Sequence, residues 1–315
     1  MRRDTIQRQQ GAMKAAELDL LIAISPENFA YSTGFVVPSQ PLMRWRHAIC
    51  AVNLDGKSGV IAVDMEETTV RGKLPGADIR IWGEFTDKPM TSLSHLISDL
   101  GAKNGKIGIE MNYLPAGDFE HLKLLLPGAM FVAADQIFDR LRQIKSPEET
   151  DLLRRLSRIS DTAISTSFDA VKAGMTEMDM AAALTRSVYE QGAEHFKLMI
   201  VATGPRSELP NVGPTERVLE AGDICRVEIF SIIGGYHAGI CRTASVEEPP
   251  KKAVEIWKNL VECKYRVLDV IKPGASTKYI YEVFLDKFSD LCLPPISFVG
   301  HGIGLHLHED PYLGK

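Results

Sequence analysis

The stretch "VEIFSIIGGYHAGICRTASV", Val227 to Val246, constrains the fold of this chain more than any other. Two apolar, β-prone runs flank Gly234-Gly235, and glycine supplies the backbone conformations that a tight hairpin turn demands. The spacing predicts strands over 223–233 and 236–246. Side chains alternate across a strand, so positions 237, 239 and 241 share one face. That face presents His237, a bare Gly239 and Cys241.

Around this hairpin the chain alternates helical and strand signals, which implies an α/β organisation. "DTIQRQQGAMKAAELD" has helical composition and leads into "LLIAISPENFAYSTGF", read as a buried strand followed by a turn at Ser25-Pro26. "HAICAVNLDGKSGVIAV" places two apolar runs around Asp55-Gly56, a hairpin signal. "TSLSHLISDLGAKNGKIGIEM" reads as a helix ending near Gly101, a loop and a strand. A boundary is expected at Ile144, giving domains 1–144 and 145–315. The second domain opens with Ser146 as helix cap, Pro147 at the first position and Glu148 and Glu149 in the first turn. Thr176 caps a second helix, a strand is expected over 197–203, and helices are expected over 250–271 and in "STKYIYEVFLDKFSDLC".

A length of 315 residues is enough for two domains with separate cores. The net charge of −5 and pI near 5.9 provide no basic footprint for nucleic acid or anionic lipid. Apolar runs such as "LDLLIAI" are too short to span a bilayer, and no secretory signal is read at the N-terminus. Five scattered cysteines (Cys50, Cys225, Cys241, Cys263 and Cys292) form no CxxC pair, which suits a reducing cytoplasm. Histidines gather late, with His301, His306 and His308 in one octapeptide.

Three segments read together: "ATGPRSELPNVGPTERVLEAGDICRVEI", the hairpin, and "VGHGIGLHLHEDPYLG". Their order and spacing resemble the M24 family of Xaa-Pro dipeptidases, aminopeptidase P, methionine aminopeptidase and creatinase. "SPENFAYSTGF" and "IKSPEE" extend the resemblance over nearly the whole chain, towards the creatinase and prolidase branch. The resemblance implies a small N-terminal α/β domain followed by a pita-bread catalytic domain. Metal-dependent members hold two ions with two aspartates, a histidine and two glutamates. Here the first aspartate position is Glu228, the second is Gly239, and the histidine is His301. The two glutamates would lie beyond Lys315, so the catalytic domain is expected to be incomplete at its C-terminus. Hard divalent ions need several converging anionic oxygens, so no full dinuclear site is expected. Any ion would rest on Glu228 and His301.

Creatinase is the family precedent for a metal-free site, and this chain departs from it as well. The position of the creatinase base histidine is Asn211, and that of a substrate-gripping glutamate is Cys241. Arg46 in "RWRHA" matches a creatinase arginine that reaches the partner subunit's site to bind a carboxylate. His308 matches a catalytic-site histidine, and Glu309 follows it in the same motif.

The leading expectation is a cytoplasmic hydrolase cleaving a C–N bond, amide or amidine, in a small amino-acid-derived substrate. His301 and His308 would move protons, and Glu228 would orient water or bind a substrate cation. Arg46, His237, Cys241, Asn211 and Glu309 would contact substrate, and no cofactor is favoured. A Cys241 thiolate activated by nearby imidazoles is an alternative nucleophile. Two rival readings remain. One is a metal-dependent Xaa-Pro dipeptidase or aminopeptidase using manganese, cobalt or zinc. The other is a catalytically silent pita-bread scaffold that binds a peptide or protein. The resemblance also implies a homodimer.

Overall fold

The computed structural model describes residues 3–291 and 296–314. Cys292 lies outside the described residues. The chain divides into two compact units, Met1–Ile144 and Lys145–Lys315.

In the first unit, α1 (Arg3–Ala15) precedes β1 (Leu20–Ala23), α2 (Pro26–Thr33), β2 (Ile49–Asn53), β3 (Ser58–Val63), α3 (Glu67–Lys73) and β4 (Asp78–Trp82). Then come α4 (Pro89–Asp99), β5 (Lys106–Ile109), α5 (Ala116–Leu125), β6 (Met130–Ala133) and α6 (Asp135–Gln143). The strands form one sheet in the order β4-β3-β2-β1-β5-β6. β2 runs antiparallel to both β1 and β3, and the other pairings are parallel. The continuous apolar runs at 20–23 and 49–53 are buried along their whole length, as strands covered on both faces must be.

One expectation for this unit fails. Ser25-Pro26 does not form a free-standing turn. Ser25 caps α2, its side chain accepting from the Asn28 N–H, and Pro26 occupies the first helical position. The Glu110 carboxylate is buried beneath this helix start. It accepts from the Ile24 N–H at 2.5 Å, the Ser25 N–H at 2.9 Å and Asn28 Nδ2 at 2.6 Å.

The second unit opens with α7 (Pro147–Asp169) and α8 (Glu177–Glu190). It continues through β7 (His195–Thr203), β8 (Ile224–Ile233), β9 (Tyr236–Ser245), α9 (Lys251–Val270), α10 (Thr277–Ser289), β10 (Phe298–Gly302) and β11 (Glu309–Gly314). Ser146 and Glu149 form the reciprocal capping box that "KSPEE" foreshadows. β7, β8 and β9 form an antiparallel sheet in that order, with Gly234 and Gly235 both at positive φ in the β8–β9 turn. Val227 and Ile229 turn towards α7 and α8, where they pack with Ile164, Leu184 and Val188. Ser160 of α7 binds the Ser231 hydroxyl and donates to the Ala238 carbonyl, which fixes the helix on the same side of the sheet. The opposite face therefore carries Arg226, Glu228 and Phe230 from β8, paired with Thr243, Cys241 and Gly239 from β9. β10 and β11 pair antiparallel beside α9 and α10, with Val299 and Leu313 on the core of those helices. Among the described residues, no helix is long and apolar enough to cross a membrane.

Candidate active site

Two hairpins supply the candidate site within the second unit. On the β8–β9 hairpin, strand pairing puts Glu228 opposite Cys241 and Phe230 opposite Gly239, with His237 one step further along the same face. On the β10–β11 hairpin, His301 pairs with Tyr312, and His308 closes the connecting loop. The two hairpins are joined where the His237 N–H donates to the Gly304 carbonyl at 2.7 Å.

The structure brings His301 and His308 together, their ring centroids 3.8 Å apart and the rings tilted by 32°. Phe298 and Tyr312 flank both rings at 6.2–6.4 Å. His301 Nδ1 lies 2.8 Å from the Gly302 carbonyl oxygen. A carbonyl only accepts, so Nδ1 carries the proton and Nε2 of the neutral ring is the bare acceptor. Partial desolvation, then the neighbouring His301, hold the His308 pKa below its usual value. Burial raises the Glu228 pKa, opposed by Arg226 and His301.

The remaining expected residues fall into distinct settings. His237 is buried, and neither ring nitrogen has a hydrogen-bond partner among the described residues. Burial, then Lys197, push its pKa down to about 4. Cys241 is exposed as a residue, but desolvation at the strand surface and the Glu228 carboxylate raise its thiol pKa. A raised thiol pKa disfavours the thiolate that a cysteine nucleophile needs, although Arg226 and Arg242 act in the other direction. Asn211 is exposed on the loop between β7 and β8. Glu309 is buried and turned inward, ion-paired with Lys145 at 2.7 Å and accepting from the His306 N–H at 3.1 Å. Arg46 belongs to the first unit, where its Nε lies 2.8 Å from Glu84 Oε1.

Several residues that shape this region escaped sequence reasoning. Glu177, at the first position of α8, is fully buried and accepts from the N–H and hydroxyl of both Thr203 and Thr215 and from Arg206 Nε. Arg226 Nη2 donates to the Leu209 and Pro210 carbonyls. Together these contacts hold the loop that carries Asn211. Phe230 was also missed. A Cβ added at Gly239 would come within 2.5 Å of three carbons of its ring. Of the three positions assigned to metal ligation in the resemblance, only Glu228 and His301 carry donor atoms.

The model of metallopeptidase family M24 matches residues 151–315, and that of the creatinase/prolidase N-terminal domain matches residues 5–144. The chain belongs to family M24. It is 30% identical over 189 residues to a probable dipeptidase PepE of Mycobacterium tuberculosis, a match covering 59% of this chain and 50% of that protein. To the Xaa-Pro dipeptidase of Pyrococcus furiosus it is 26% identical over 262 residues, covering 82% of this chain and 74% of the relative. An Xaa-Pro dipeptidase structure from Bacillus anthracis superposes with a TM-score of 0.84 at 23% identity, covering 99% of this chain and 84% of that one. The M24 chain thus has the two-domain creatinase/prolidase fold, with a pita-bread second domain. It spans about half the length of the PepE relatives it matches.

Proposed function

We propose that this M24 chain hydrolyses a C–N bond, amide or amidine, in a small amino-acid-derived substrate of dipeptide size, without a pair of metal ions. The observation that carries the reading is the His301–His308 pair, its ring centroids 3.8 Å apart on one hairpin, with His301 interacting electrostatically with Glu228 on the other. A histidine held neutral near pH 7 is a competent general base, and its neighbour, protonated beforehand from solvent, can give a proton to the leaving nitrogen while the base releases its own to solvent. His308, with its lowered pKa, is the base in this scheme. His301 is oriented by the Gly302 carbonyl and supplies the proton from Nε2 once protonated. The half-buried Glu228 carboxylate orients water or binds a substrate cation.

The donor set does not fit a dinuclear centre. Two hard cations need several anionic oxygens in one cavity. Gly239 offers none, and the Phe230 ring occupies the space above it. No step is therefore assigned to an ion pair. A second reading, an Xaa-Pro dipeptidase using a single ion through Glu228 and His301, is supported by the activity named for the Pyrococcus relative. Asn211, His237 and Cys241 remain proposed substrate contacts, Glu309 acts through the loop it pins, and Arg46 is proposed to bind a substrate carboxylate in the partner subunit's site of a homodimer. A homodimer in a cytoplasmic, reducing setting completes the proposal, and light scattering on the purified chain tests the dimer.

The deciding experiment is a hydrolysis assay on Xaa-Pro dipeptides and on small N-substituted guanidines, with and without chelator. Turnover that survives chelation supports the metal-free reading. Turnover that chelation abolishes and manganese or cobalt restores supports the single-ion peptidase. Binding without turnover on either substrate class defeats both hydrolase readings and leaves the silent scaffold.

A further inference from the structure

Gly239 is bare for a reason that its own backbone does not supply. Glycine is required where φ is positive, and the second unit has such glycines at 174, 192, 204, 222, 234, 235 and 274, but not at 239. A strand interior ordinarily disfavours glycine, which loses more chain entropy than other residues and packs nothing. The other physical reason for a strand glycine is close approach by a neighbouring group. Phe230 is that group. It sits directly across the β8–β9 ladder, on the face away from α7 and α8, and is only 5% exposed. An aromatic ring laid over a facing glycine buries the bare backbone and recovers packing the glycine lacks.

We propose that Phe230 and Gly239 form an exclusive steric pair, in which Phe230 determines what the site admits by occupying the room a side chain at 239 would need. A carboxylate at 239 must leave the backbone through the Cβ that meets the ring, so a side chain at 239 requires the Phe230 ring to turn aside or residue 230 to shrink. The inference deepens the proposed metal-poor site and rests on that reading for its functional meaning, but the exclusion itself is a property of the folded chain.

The test is a double-substitution cycle read by thermal unfolding, with Gly239→Ala made in the natural background and in Phe230→Ala. In the natural background the added methyl overpacks the strand pair and lowers Tm by about 3–10 °C, the range for overpacking in a chain of this size. With Phe230→Ala in place, the same methyl enters open space, and Tm stays unchanged or rises. Should Gly239→Ala alone fail to fold, recovery of folded protein by adding Phe230→Ala is the same result in stronger form. Equal Tm losses in both backgrounds would overturn the pair, as would a Gly239→Ala chain as stable as the parent. Activity is read in neither arm, so a failure of the hydrolase reading would leave this outcome untouched.

Discussion

The Tyr236 hydroxyl donates to Glu149 Oε1 at 2.5 Å, tying the first residue of β9 to the first turn of α7. Both residues are buried, and the Glu149 carboxylate also accepts from the Ser146 N–H through its other oxygen. The start of the strand that carries His237 and Gly239 is thereby fixed to the helix that opens the second unit. A bond to a buried charged group is worth about 1.5–3 kcal/mol. Tyr236→Phe removes it with little change of volume and is expected to lower stability by about that much in urea unfolding. A loss below about 0.5 kcal/mol would show that water replaces the hydroxyl without cost.

Glu177 makes a stronger case, because five donors converge on one carboxylate. Its hydrogen bonds and Arg206 outweigh the opposing effect of burial and hold its pKa below the usual carboxylate range. Glu177→Ala strands those donors and is expected to cost about 3–5 kcal/mol. Faster tryptic cleavage after Arg206 should accompany the loss. The lowered pKa fixes the sign of the pH effect: the stabilisation is complete above the usual carboxylate range and disappears as pH falls through the lowered value. Glu177→Gln should flatten that acid limb.

His237 predicts a second pH dependence at milder acidity. Its pKa falls from the ordinary 6.5 to about 4, so between those values the unfolded chain binds a proton that the folded chain refuses. Stability therefore decreases as pH drops from 6.5 to about 4, by about 3 kcal/mol in total. Lys197 and His306 act in the same direction, and the Gly304 backbone and then Glu309 oppose them. Replacing His237 by Gln should remove most of the slope in that window. An unchanged slope would assign it to other groups.

The paired histidines predict activity rather than stability. His301→Ala and His308→Ala are each expected to reduce kcat/KM by at least about 100-fold, the contribution of a positioned acid or base. In the parent, the acid limb of the kcat/KM profile should fall below the usual histidine value, following the lowered His308 pKa. His301→Ala removes one cause of that lowering and should move any residual limb upward. Single-digit-fold losses in both variants would take proton transfer away from this pair.

Local chemistry made much of this legible from sequence. The Gly234-Gly235 turn, the Ser146 capping box and the Asp55-Gly56 hairpin each depend on residues a few positions apart, and each forms as the residue types demand. Strand alternation likewise put residues 237, 239 and 241 on one face. The same local reading misjudged Ser25, whose role depends on Asn28 continuing as helix and on Glu110 arriving from 82–86 positions away. Long-range partners were also beyond reach for Glu149, Glu177 and Glu309, whose carboxylates look like ordinary surface charges until the fold surrounds them with donors. Gly239 was legible as a bare position on the hairpin face. What fills its place was not, because Phe230 reads as one more strand hydrophobe until the register sets it opposite.

The loop between β7 and β8 is tethered on both sides of Asn211. Arg226 holds the Leu209 and Pro210 carbonyls, while Arg206 reaches the Gly213 carbonyl at 2.7 Å and Glu177 holds Thr215. Most of these tethers grip backbone atoms, so they are indifferent to which side chains lie between them. Asn211 and Val212 therefore sit like an interchangeable insert in a rigid frame. Variation at those two positions changes the side chains the loop displays without changing where they are displayed, so the loop can be altered there while the scaffold stays intact.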